Sequence, residues 1–183
     1  MLFETKKVTL KNGKEAVFRS PSQADAAAMV EYMKLTAAKT HFLLRTPEEC
    51  TMTAQQEADF LQHINDSRNT VMIVCEVDGK LAGNCQLAFG SRIRTRHRAS
   101  VAIALLKDYW GLGIGTAMFE EMTVLSRARG ALQMELEFVE GNERARRLYE
   151  KMGFRTVAEK PNAIRLEDGT LLKEYFMVKE LTP

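Results

Sequence analysis

The chain has 183 residues, a length that one hydrophobic core commonly serves, and no Pro/Gly/Ser-rich linker divides it, so a single domain over residues 1–183 is expected. Hydrophobic residues make up 45% and the formal net charge is +2, too small a surplus to point to nucleic acid or a membrane as a partner. The opening Met1-Leu2-Phe3-Glu4-Thr5-Lys6-Lys7 lacks the positive-then-apolar order of a signal peptide, and no apolar run approaches the roughly 18 residues that span a bilayer, which predicts a soluble, cytoplasmic protein.

Residues 8–10 and 16–18 flank Asn12-Gly13, a pair that tolerates the positive φ of a tight turn, and predict an opening β-hairpin. Ser20 before Pro21 reads as a helix start, and Ala27, Val30, Met33 and Ala37 recur at helical spacing after it. Residues 53–65 predict a second helix with Ala58, Leu61 and Ile64 on one face. Residues 71–77 and 81–89 form a second hairpin around Asp78-Gly79. A two-residue turn there pairs Cys75 with Ala82 and Cys85 with Met72, placing the two sulfurs on opposite faces and predicting reduced, mostly buried thiols. Residues 99–106 are apolar on both faces, as in a strand inside a sheet.

After Lys107-Asp108-Tyr109-Trp110 comes Gly111-Leu112-Gly113-Ile114-Gly115-Thr116, then a helical pattern of Ala117, Met118, Met122, Leu125 and Ala128 that ends at Gly130. A strand over 132–139, a helix over 142–152 stopped by Gly153, and two strands around Asp168-Gly169 complete the chain. The succession predicts an α/β (α+β) domain, a mixed central sheet of about seven strands flanked by about four helices, without internal repeats.

A glycine-rich turn between a buried strand and a helix exposes backbone N–H groups next to the positive end of the helix dipole, which suits a phosphate or pyrophosphate. The turn lacks the lysine of a nucleotide P-loop, and its G-x-G-x-G spacing differs from the G-x-G-x-x-G of a dinucleotide fold, so ATP and NAD are both disfavoured. Further on, Asn142, Ala145 and Tyr149 fall near one face of a helix, a stripe of carboxamide, small gap and phenol along which a flexible ligand arm fits. Leu148 and Met152 read as core.

The run 103–115 and the later Asn142-x-x-Ala145-x-x-Leu148-Tyr149-Glu150-Lys151-Met152-Gly153-Phe154 resemble, in order and separation, the GNAT superfamily of acyl-CoA N-acyltransferases. The resemblance implies that Gly111, Leu112, Gly113, Ile114, Gly115 and Thr116 hold the CoA pyrophosphate through backbone amides, with Trp110 heading the same motif at the cofactor site. It also implies that Ile103 and Leu105 pair with the pantetheine arm, that Asn142 and Ala145 lie along that arm, and that Tyr149 is the general acid for the leaving thiolate. The implied activity is acetyl transfer from acetyl-CoA, the donor substrate, to a primary amine of a small molecule by direct attack. Alternatives left open are a protein or peptide acceptor and a catalytically weak CoA-binding regulatory module; a homodimer is also left open. The chain departs from the family pattern at Trp110, where Gln or Arg is usual, and at Ser100, where many members carry a glutamate.

An amine with a pKa of about 10.4 must lose a proton before it attacks. Glu135, Glu137, Glu76, His41 and His97 are the candidate bases, and Tyr32, His41 and Phe42 the candidate acceptor-site residues. No cysteine stands in a nucleophile setting and no His/Cys cluster has metal-ligand spacing, so no metal is expected. The run 92–98 carries four arginines and reads as an extended segment. Arg144, Arg146 and Arg147 crowd a helix start where positive charge is unfavourable, a conflict that a CoA phosphate would relieve.

Overall fold

The computed structural model describes residues 1–181. In chain order the elements are β1 (Lys6–Thr9), β2 (Glu15–Arg19), α1 (Ala26–Ala38), α2 (Ala54–Asp66), β3 (Thr70–Val77), β4 (Lys80–Phe89), β5 (Arg98–Leu105), α3 (Ile114–Ala128), β6 (Gln133–Val139), α4 (Glu143–Lys151), β7 (Arg155–Arg165) and β8 (Leu171–Glu180). All eight strands join one sheet in the order β1-β2-β3-β4-β5-β6-β8-β7, one strand more than expected. No helix of the described residues is long and apolar enough to cross a membrane.

Only the β5–β6 pair at the middle of the sheet is parallel, and its register covers just Arg98↔Gln133, Ala99↔Met134 and Ser100↔Glu135. On its other side β5 stays paired with β4 as far as Leu105, while β6 runs on to Val139 against β8. Beyond Ser100, β5 and β6 therefore part, leaving one edge of each without a strand partner in the middle of the sheet. Unpaired N–H and C=O groups in such a gap need other partners. The gap is the structural fact on which the site depends.

One face of the sheet carries α3 and α4 over a core that includes Phe18, Ile73, Leu87, Val101, Met118, Phe119, Met134 and Phe138. The other carries α1 and α2 over a smaller cluster of Met29, Tyr32, Leu61, Ile64, Met72 and Val74. Burying one such side chain contributes roughly 1.5–3 kcal/mol, so each face is held by its own helices.

Several local expectations shift, each for a visible reason. The start of the first helix is capped by Ser22 with Asp25 in a capping box, ahead of a 3-10 turn, whereas the Ser20 hydroxyl accepts from the Phe3 N–H at 2.8 Å. The buried stripe of α1 is accordingly Ala26, Met29, Tyr32 and Thr36, with Ala37 as expected, rather than Ala27, Val30 and Met33. Thr53 and Gln56 form the capping box of α2. In the β3–β4 hairpin a bulge at Cys75/Glu76 moves the register, so Cys75 faces Gly83 and Cys85 faces Ile73. A bulge inserts one residue and so changes which side chains share a face. Both thiols consequently lie on the same face and in the same core, still as free cysteines, and burial pushes Cys75 up to about 12. The segment 91–97 is a tight turn, closed by Thr95 N and Arg96 N donating to Arg92 O at 2.9 Å, and not an extended run of arginines.

Candidate active site

The glycine-rich turn follows β5 through a short 3-10 turn, Lys107–Tyr109. Gly111 and Gly113 hold φ of +82° and +95°, a left-handed conformation that costs an L side chain about 1–2 kcal/mol and so requires glycine. Gly115 is required for a different reason: a Cβ there would stand 2.9 Å from Leu148 Cδ2 and 3.6 Å from Leu105 Cδ1, so its absence lets α3 close on α4 and β5. Among the described residues, none of the backbone N–H groups of 111–116 donates to another group of the chain. The arrangement is a row of free donors at a helix start, which fits a pyrophosphate.

This turn, the parted edge of β5 and the start of α4 border one cavity of about 750 Å³. Of the residues expected at the cofactor site, Ile103, Leu105, Trp110, Gly111, Gly113, Ile114, Gly115, Thr116, Asn142 and Ala145 all border it, and so does Tyr149. Leu112 does not; it packs toward the core, and its carbonyl accepts from Lys11 N–H at 3.0 Å. Asn142 is the N-cap of α4, its Oδ1 accepting from Ala145 N–H at 3.2 Å, which leaves its amide nitrogen for the cavity.

Tyr149 is fixed by packing. Its ring meets Phe119, Phe138 and Phe154 edge-on at centroid distances of 5.6, 5.9 and 6.4 Å. Aromatic pairs of this geometry contribute about 0.5–1.5 kcal/mol each beyond burial. Burial pushes the phenol up to about 12, so it is protonated through the neutral range. No hydrogen bond from its hydroxyl to another described residue exists, and the proton is available to whatever occupies the cavity.

On the far side of the gap, Glu135 and Glu137 project into the same cavity from β6. Glu135 is buried and gripped by Arg98, whose Nε and Nη2 donate to its two oxygens at 2.9 and 2.7 Å. Ser100 Oγ and Gln133 Nε2 add donors at 3.3 Å. Burial pushes this carboxyl up, but the donors from Arg98, Gln133 and Ser100 outweigh it and hold the group below the ordinary carboxylate range. Ser100, where the resemblance raised the expectation of a glutamate, thus meets a glutamate from the neighbouring strand. Glu137 is exposed to the cavity and makes no hydrogen bond or ion pair among the described residues.

The other candidate bases lie elsewhere. Glu76 pairs with Arg19 at 3.0 Å, His97 sits in the arginine-rich turn, and neither borders the cavity. His41 packs against Phe42 with the rings tilted by 55° and does not border it either. Of the expected acceptor residues only Phe42 lines it. Tyr32 is structural, its hydroxyl donating to Ala104 O at 2.7 Å beside Asn84 Oδ1 at 3.0 Å. Phe42 belongs to the strap between α1 and α2, and a Cβ on Gly141 would lie 3.6 Å from its ring, so the strap leans on the β6–α4 turn across the gap. Leu43 and Leu44 of the strap and Glu174 and Phe176 of β8 complete this wall. None of these four was legible beforehand: the β6–β8 register, which sets Glu137 opposite Phe176 and Val139 opposite Glu174, brings the β8 pair to the gap, and the lean of the strap on the β6–α4 turn brings Leu43 and Leu44.

Residues 36–154 match the model of the acetyltransferase (GNAT) family, and the chain belongs to that family: it is a GNAT acetyltransferase. An uncharacterized N-acetyltransferase of Mycobacterium tuberculosis is 27% identical over 124 residues, 68% of this chain and 75% of that protein. Among solved structures, an acetyltransferase of the GNAT family from Streptococcus pneumoniae superposes with a TM-score of 0.84 at 26% identity, covering 91% of this chain and 99% of that one. The structure of yncA, a putative acetyltransferase from Salmonella typhimurium with its cofactor acetyl-CoA, superposes with a TM-score of 0.77 at 19% identity over 92% and 95% of the two chains.

Proposed function

We propose that this single domain moves an acetyl group from acetyl-CoA to a primary amine of a small molecule by direct attack, without an acyl-enzyme. The observation that carries the reading is the continuity of one cavity from the free amides of 111–116, past the Tyr149 hydroxyl, to the Glu137 carboxylate across the β5–β6 gap. The free amides and the glycine cradle fit a pyrophosphate, and the edge of β5 that lacks a strand partner, at Ile103 and at the Leu105 N–H, fits an amide-bearing pantetheine arm. Asn142 and Ala145 border the same channel. Acetyl-CoA brings the activated acetyl group and a thiol as leaving group. The chain's own residues then have three tasks: β5 N–H groups polarise the acyl oxygen, Tyr149 delivers a proton to the departing sulfur, and Glu137 accepts the proton of the acceptor ammonium, directly or through one water.

Glu137 takes this role rather than Glu135 because a carboxylate already gripped by a guanidinium and two further donors is a poor proton acceptor. The strap favours a small acceptor over a folded protein, since Phe42 leaning toward Gly141 narrows the approach. The test is thiol release from acetyl-CoA across amines, amino acids, polyamines and peptides. Saturable, amine-dependent release with the small amines is expected. Turnover confined to peptides would replace the acceptor class, and CoA binding without turnover on any acceptor would point to a regulatory module.

A further inference from the structure

Arg144 lies near the C-terminal end of the family-matched segment and Lys11 lies outside that segment altogether, yet both reach the glycine turn. The Lys11 N–H donates to Leu112 O at 3.0 Å, which ties the first hairpin to the turn, and its side chain then crosses Gly113, with Cγ and Cε 3.6 and 3.9 Å from where a Cβ would stand. At the other end, Arg144 Nη2 lies 3.9 Å from the corresponding position on Gly111. Its guanidinium carbon is 4.8 Å from the ring centre of Trp110, a cation–π contact, and Trp110 is itself oriented by its indole N–H donating to Leu105 O at 2.9 Å.

Neither cation has a carboxylate partner among the described residues, although their neighbours do. Lys14 on the same hairpin turn pairs with Asp78 at 2.6 Å, and Arg146 on the same helix pairs with Glu150 at 3.0 Å. Arg144 also stands in the first turn of α4, where the helix dipole disfavours positive charge unless an anion is near. The exposed tryptophan, the arginine at the helix end that disfavours positive charge and the lysine laid over the glycine turn all converge on the row of free amides. Beside a bound anion all three are accounted for.

We propose that Lys11 and Arg144 grip the CoA pyrophosphate from the two ends of the glycine turn, with Trp110 as the floor that positions Arg144. Trp110 thereby replaces the polar residue usual at the head of the motif by holding a cation from another helix in its place. The proposal rests on acetyl-CoA as donor and is independent of the acceptor.

Calorimetric titration with CoA and with dephospho-CoA tests it without turnover, and the emission of Trp110, the one tryptophan in the chain, gives a second reading of the same binding. Lys11→Ala and Arg144→Ala are each expected to weaken CoA by about tenfold, the scale of a lost charge-assisted contact. Lys11→Arg keeps the charge and Trp110→Phe keeps the stacking surface, so both retain most of the affinity, whereas Trp110→Ala loses as much as Arg144→Ala. Lys14→Ala on the same turn leaves the Kd unchanged. The Lys11 and Arg144 penalties persist with dephospho-CoA; if they vanish there, the contact is to the 3′-phosphate and the pyrophosphate assignment is overturned. Equal CoA affinity in wild type and both alanine variants overturns the grip itself, while failure of the wild type to bind CoA overturns the donor reading beneath it.

Discussion

The two sides of the β5–β6 gap are built from different materials. The side formed by β5, the glycine turn and α4 works through backbone: free N–H groups, left-handed glycines and an unpaired strand edge. The side formed by the strap, β6 and β8 works through side chains, among them Phe42, Glu135, Glu137 and Phe176. A backbone site demands particular residues at particular spacings, because only glycine tolerates φ near +90° or the approach of Leu148 to Gly115. A side-chain site demands only that the sheet register deliver suitable groups to one place, and many sequences do that. The first side can therefore be shared across a family while the second sets what each member acts on.

If that division is right, substitutions on the two sides separate donor effects from acceptor effects. The largest expected effect lies where the sides meet. Tyr149→Phe removes a hydroxyl that has no partner in the chain but keeps the ring packed on Phe119, Phe138 and Phe154. kcat should drop by about 10²-fold or more, the usual contribution of a positioned general acid, with thermal stability and CoA affinity unchanged. A variant that is as fast as wild type would remove the phenol from the mechanism.

Glu137→Gln should lower kcat/KM by about 10- to 100-fold near neutral pH. It should also change the shape of the pH profile. Without the carboxylate, the rate follows the fraction of free amine and climbs about tenfold per pH unit up to the amine pKa near 10, so the gap to wild type narrows as pH rises. A constant ratio between the two profiles would move the base elsewhere.

The same division explains what could be read in advance. The order of elements, the glycine turn and the Asn142–Tyr149 stripe were legible because turn chemistry and helical spacing are local. The Ser22 cap, the Cys75/Glu76 bulge and the compact turn at 91–97 were not. Each depends on a hydrogen bond or a tertiary contact that competes with an equally good local alternative. Ser100 is the sharpest case: its strand pairing with Glu135, and the Arg98 grip on that acid, exist only once β5 and β6 are laid in parallel, 35 residues apart. Lys11 was missed for the same reason, since nothing in a hairpin turn announces that it will rest on a glycine loop about a hundred residues away.

Phe42→Ala should affect the acceptor side alone. Loss of the ring that spans toward Gly141 should raise the amine KM by about five- to tenfold, the scale of one lost apolar contact, and leave the Kd for CoA as it was. If CoA affinity falls by as much as amine affinity, the strap closes over both ligands and the two sides are not separable.

The smallest effect lies at the Arg98–Glu135 pair, where β5 and β6 are still joined. Arg98→Ala leaves the buried Glu135 with only the Ser100 and Gln133 donors, each at 3.3 Å. In the wild type its carboxyl is held below the ordinary value of 4.5, so it contributes stability above that pH, lost as pH falls through its lower folded value. Without the guanidinium, burial dominates and the folded carboxyl rises above its unfolded value, so the charged form destabilises the fold at neutral pH. Arg98 is itself 42% exposed, which screens the pair and limits the loss to about 1–2 kcal/mol, or roughly 3–6 °C in Tm. The deficit should be full at pH 7, begin to shrink as pH falls through the raised folded value of the variant's carboxyl, and close once pH falls through the lowered folded value of the wild type, where both proteins carry a neutral Glu135. Chemical denaturation of both proteins at pH 7 and pH 3.5 decides it: an equal gap at the two pH values means that Arg98 contributes packing rather than charge, and that Glu135 stays ionised on other donors. In that case Glu135 returns as a rival to Glu137 for the acceptor's proton, because a carboxylate that does not need its arginine is free to use its charge on the substrate.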